Sequence, residues 1–165
     1  MIVLGMGNTL LGDDGVGIYV AKELEKRCPV KEGIDFEYVS WGGFRIIDVL
    51  QNYEKAIVID AIDTGEKPEG YIHVLTHESL LHSIRMVSFH DVSFATAIEL
   101  SSVLNIPMPE SIFIYGIEVR DIGIFREGLT PAARKAANKC IDMVINRILS
   151  INRHNFINNK TLQPA

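Results

Sequence analysis

The chain opens Met1-Ile2-Val3-Leu4-Gly5-Met6-Gly7-Asn8-Thr9-Leu10-Leu11-Gly12-Asp13-Asp14-Gly15-Val16-Gly17. Residues 1–5 are an apolar run closed by glycine, the pattern of a buried strand. A glycine-rich turn holding two acids follows. From residue 14 the period changes: Val16, Val20, Leu24 and Cys28 recur four apart, one stripe of a helix over 14–28, and Pro29 stops it. The strand–turn–helix pattern repeats along the chain. Ile34 to Ser40 reads as a strand, Trp41-Gly42-Gly43 as a break and 44–52 as a helix. Lys55 to Asp60 is the clearest buried strand, apolar residues leading to a carboxylate. Thr64 to Gly70 is a turn-rich loop, and Gly70 to Leu75 a further strand. Residues 76–90 are irregular. From Asp91 a helical period returns, with Phe94, Ile98, Ser101 and Leu104 on one face, until Pro107 and Pro109 end it. Ser111 to Val119 is a strand. A last helix spans 130–150, with Pro131 in its first turn and Ala133, Ala136, Cys140, Val144 and Ile148 in a stripe. Strands alternating with helices give an α/β fold of three layers, a largely parallel sheet with helices on both faces. Residues 1–150 are read as one domain, and 151–165 as a polar tail expected to fray.

Composition narrows the function classes. The 165 residues are 47% apolar and 22% charged, an ordinary globular balance that excludes disorder as the main state. Lys plus Arg is 16 and Asp plus Glu 21, so the net charge is −5. Such a chain lacks the basic footprint of a general nucleic-acid binder or a membrane-surface protein. The apolar start lacks a basic leader region and runs directly into acids, so it is a first strand rather than a signal peptide. No apolar run approaches the ~18–20 residues of a membrane span. The expected location is the cytoplasm, with no nucleic acid bound and no membrane insertion. Cys28 and Cys140 form no CxxC pair and are read as buried free thiols within helical segments.

In parallel sheets the functional crevice lies outside the carboxyl ends of the strands. Asp13 and Asp14 follow the first strand, Asp60 ends the third, and Ser88-Phe89-His90-Asp91 precedes the next helix. Two carboxylates and one imidazole gathered at that edge would form an N/O set suited to a divalent transition metal, with open positions left for chemistry. Each residue also has a plain structural reading. Asp13 or Asp14 could cap the first helix, and the pair can divide the tasks, Asp13 capping and Asp14 facing the crevice. Asp60 could bond loop amides, His90 could be a satisfied capping histidine, and Asp91 reads as an N-cap. Other chemistries fit less well. Gly5 and Gly7 suggest a dinucleotide turn, but Leu10 stands where its third glycine belongs and Ser40-Trp41 where its acid belongs. There is no phosphate loop and no GxSxG elbow. His73, His77 and His82 read as strand or loop residues rather than a second metal cluster, and Asp63 as at most a neighbour of the site.

The segment Gly5 to Gly17 resembles the opening signature of the hydrogenase maturation proteases, the endopeptidases that process the large subunit of nickel–iron hydrogenases. Ile59-Asp60-Ala61 and Ser88-Phe89-His90-Asp91 resemble that family's second and third blocks. Weaker likenesses continue through Tyr115-Gly116-Ile117-Glu118 and Gly128-Leu129-Thr130-Pro131, so the resemblance covers roughly residues 1–150. It implies a five-stranded twisted sheet between helices. It implies Asp14, Asp60 and His90 as both the catalytic and the nickel-recognising side chains; the family often has Glu where Asp14 stands. The implied substrate is the precursor of the large subunit, arriving with nickel in place and losing its C-terminal extension. Nickel would thus be supplied by the substrate, and the protein is expected to be metal-free as isolated. The family's glycine–threonine pair after the second strand is replaced by Trp41-Gly42-Gly43-Phe44. A non-catalytic maturation chaperone on the same scaffold is the alternative reading.

Overall fold

The computed structural model describes residues 1–40, 44–76, 94–120 and 122–160, with side chains described throughout except at 94, 95 and 154–160. Strands β1 (Ile2–Met6), β2 (Asp35–Val39), β3 (Lys55–Ile62), β4 (Ile72–Thr76) and β5 (Ser111–Glu118) form one sheet in the order β2-β1-β3-β5-β4. β1, β2, β3 and β5 are parallel; β4 pairs antiparallel with β5 at the edge. Helices α1 (Val16–Arg27) and α4 (Pro131–Lys160) cover one face, and α2 (Arg45–Leu50) and α3 (Phe94–Val103) the other. The expected three-layer α/β architecture is therefore the observed one.

Strand alternation divides the core between the faces. Val3, Ile57, Ile59, Tyr115 and Ile117 pack against α1 and α4. Ile2, Leu4, Val58, Ile112 and Ile114 pack against α2 and α3. The central strands are buried on both sides, which is why β1 and β3 read as continuous apolar runs rather than alternating ones.

Several boundaries differ from the sequence reading, each for a physical reason. β3 does not end at Asp60. Ala61 and Ile62 continue the apolar run, and the ladder with β5 persists to the Ile62–Glu118 pair. The α1 segment begins with a 3-10 turn, Asp13–Gly15, and Cys28 sits at its C-cap rather than inside it. Both cysteines are buried and free, as expected. The α3 stripe is displaced: Ala97 and Ser101 are buried, whereas Leu104 lies beyond the helix end, more than half exposed, beside Asn105 at φ 53°. The last helix does not stop at 150 but continues to Lys160. No glycine or proline occurs between Pro131 and Pro164, so nothing in the sequence breaks it earlier.

Candidate active site at the carboxyl edge of the sheet

The turn after β1 is built to bring a helix close to the sheet. Gly17 sits where α1 crosses β1 and β3; a Cβ there would lie 2.3 Å from the carbonyl oxygens of both Met6 and Ile59. Gly7 takes φ 129°, and its Cβ would overlap the Asp14 carbonyl at 1.8 Å. These glycines set the height of Asp14 above the sheet. Asp14 is buried, 4% exposed, and its Oδ2 accepts the Asn8 N–H at 2.7 Å.

Asp60 is 7% exposed and its Oδ1 accepts the N–H of Ala61 at 2.9 Å. Among the described residues Oδ2 has no hydrogen-bond partner. Burial pushes the Asp60 pKa up, the Ala61 N–H pulls it back, and the nearby Asp14 charge raises it further, to about 8. Burial and the Asp14 charge thus favour the protonated form of Asp60 in the free site. A buried carboxylate oxygen without a donor, beside a second buried carboxylate, is an arrangement that a cation relieves. His90, the third expected member, lies outside the described residues, as do Asp91, Trp41-Gly42-Gly43, His77, His82 and Ser88.

Asp13 has a different task from the one expected. It does not cap α1, whose N-cap is Gly15 with no side-chain bond. Its fully buried carboxylate accepts the N–H and the hydroxyl of Thr130, each at 2.7 Å, with Arg126 Nη2 at 3.6 Å. Thr130 Oγ1 in turn accepts the Ala133 N–H in the first turn of α4. Asp13 therefore fastens the start of the last helix to the Asp14 turn.

A second buried carboxylate network escaped the sequence reading. Glu118, fully buried at the end of β5, accepts Thr64 N–H at 2.9 Å, Gly65 N–H at 3.2 Å, the Thr64 hydroxyl, and Arg120 Nη1 at 2.8 Å. His73 Nε2 lies 2.9 Å from its other oxygen. Burial acts to raise the Glu118 pKa, but the bonds from Arg120, His73 and Thr64 outweigh it and hold the group below the ordinary carboxylate value. Arg120 also bonds the Lys67 carbonyl and pairs with Asp63. Asp63 thus belongs to the clamp on the loop after β3. Asp60, Gly116 and His73 share one row across β3, β5 and β4. The glycine between them leaves room for Ile62, whose Cδ1 lies 2.7 Å from a Cβ built there.

Comparison with known proteins decides the family. The model described as hydrogenase maturation protease matches residues 18–147. The chain belongs to the hydrogenase maturation protease family. The protease is 26% identical over 145 residues to the hydrogenase expression/formation protein HupD of Bradyrhizobium diazoefficiens, covering 87% of this chain and 74% of that one. Its fold superposes on the hydrogenase maturating endopeptidase HybD of Escherichia coli with a TM-score of 0.78 at 20% identity, covering 90% and 91% of the two chains. The maturation protease HycI of Thermococcus kodakarensis gives 0.69 at 18% identity, covering 88% and 89%. The five-stranded sheet expected from the resemblance is thus the fold of solved members. Its opening glycines serve the close approach of α1 and the placement of Asp14. No helix among the described residues is long and apolar enough to cross a membrane.

Proposed function

We propose that this protease cleaves the C-terminal extension from the nickel-loaded precursor of a nickel–iron hydrogenase large subunit, in the cytoplasm, recognising the nickel that the precursor carries. The observation that carries this reading is the Asp14–Asp60 pair: two buried carboxylates at the carboxyl edge of the sheet, one with its pKa raised to about 8 and an oxygen that has no donor among the described residues. Asp14, Asp60 and His90 would supply two oxygens and an imidazole nitrogen to the incoming ion. Asp60 gives up its proton as the ion arrives, so recognition and deprotonation occur together. Nickel held there would either polarise the scissile carbonyl or lower the pKa of a bound water. The chain itself holds Asp14 in place through the Asn8 N–H and orients Asp60 through the Ala61 N–H. Because the ion comes with the substrate, the protein purified alone is metal-free.

The test uses purified large-subunit precursor in nickel-loaded and nickel-free forms, with the C-terminus read by mass spectrometry. The expected result is shortening of the loaded form only. Shortening of both forms would remove nickel from the recognition step. Tight binding of the loaded precursor without any shortening would assign the chain to a chaperone role.

A further inference from the structure

Exposed apolar side chains lie on the turn that leads to Asp14 and on the segment hydrogen-bonded to it. Leu10, Ile124 and Phe125 are 44%, 57% and 81% exposed. Large apolar side chains grouped at a surface mark a place where another molecule binds. The segment bearing Ile124 and Phe125 is stitched to the turn bearing Asp14. Arg126 N–H donates to the Leu10 carbonyl at 3.0 Å, and Gly12 N–H donates to the Arg126 carbonyl at 2.8 Å. Gly12 also bridges Ile122. From the same turn, the Asp14 N–H bonds the Leu11 carbonyl, and Asp13 holds Thr130 just beyond the segment. The segment is therefore fastened to the turn that leads to Asp14, and whatever rests on it lies against that turn.

We infer that Leu10, Ile124 and Phe125 form the docking surface for the C-terminal region of the large-subunit precursor, received as an extended segment with apolar side chains. This rests on the function proposed above and adds to it the source of substrate affinity that does not come from the metal. The occupant follows from continuity: the patch shares its hydrogen-bonded backbone with the turn that holds Asp14. Val103 and Leu104, also exposed, stand at the other end of the molecule, on the path from α3 to the start of β5, and have no such connection to the Asp14 turn among the described residues.

The experiment compares the wild type, the Ile124→Ser/Phe125→Ser double variant and a Val103→Ser control on nickel-loaded precursor. KM and kcat are read from the rate of C-terminal shortening, and Kd from direct binding. Both docking side chains are exposed, so the double variant keeps its fold, checked by its unfolding midpoint. Expected is a rise of ~10-fold or more in KM and Kd for the double variant, carried by KM rather than kcat, with the control like the wild type. Unchanged KM and Kd overturn the docking surface. So does a loss confined to kcat. A wild-type dimer that the double variant disperses in sedimentation equilibrium, with precursor binding unchanged, reassigns the patch to a second copy of this chain. If the wild type binds the precursor but does not cleave it, the proposed function fails, and Kd alone then judges the patch.

Discussion

Asp60 is a stability liability that a binding site explains. Its pKa of about 8 in the folded protein, against an ordinary 3.8, means that the folded state holds a proton which the unfolded chain releases near pH 4. Between those values folding takes up a proton, so stability falls as pH rises from about 4 to about 8 and is level above. Asp60→Asn abolishes that contribution. In urea melts, the stability of Asp60→Asn relative to the wild type should grow between pH 5 and pH 8; a pH-independent difference would show that Asp60 is not held protonated. Cys140 makes a second prediction at this scale. Burial pushes its thiol up to about 12, so it should stay unlabelled by a thiol reagent in the native protein and react only on unfolding. Rapid native labelling would contradict its place in the core. Asp14, Asp60 and the two free cysteines could be singled out in the sequence because their neighbours in sequence carry the signal, a glycine turn, a strand end and helical stripes. Glu118 could not, since its partners Thr64 and His73 lie 54 and 45 residues away and nothing local marks them.

The elements were legible where one periodicity ruled and illegible where tertiary partners set the end. β1, β2 and β5 follow their apolar runs within a residue or two, but β3 extends past Asp60 because β5 continues to pair with it. The local reading of Asp13 as a helix cap fails for the same reason: its donors come from Thr130, the residue before α4. Thr130→Ala should remove the hydroxyl that both donates to Asp13 and accepts from Ala133, costing about 2 kcal/mol by sum of a lost cap and a lost charge-assisted bond. A change under about 0.5 kcal/mol in urea unfolding would show that this fastening carries little weight. Gly17→Ala tests the seat of α1. A methyl placed 2.3 Å from two carbonyl oxygens forces the helix off the sheet, so a loss of about 3 kcal/mol or more, or failure to fold, is expected. A wild-type melting temperature in that variant would mean that α1 does not depend on so close an approach.

At the scale of the molecule, the parallel sheet gathers segments from distant parts of the sequence at one edge. The Asp14 turn, the Asp60 strand end, the Glu118 clamp and the Ile124–Phe125 segment all stand there, and Asp13 joins the chain's opening to its last helix. That convergence follows from the carboxyl-edge rule, which is why the fold, and the edge at which Asp14 and Asp60 stand, could be read before any contact was known. The apolar patch could not, since exposure is a property of the folded surface. Activity should depend on the ligand set as a unit. Asp14→Glu keeps a carboxylate on a longer arm and is expected to retain cleavage. The decisive comparison sets Asp14→Asn, Asp60→Asn and His90→Ala against the wild type on nickel-loaded precursor, each variant first shown to be folded. Loss of C-terminal shortening by ~100-fold or more in all three is expected, whereas full-rate shortening by any one of them would remove that residue from the grip on the metal.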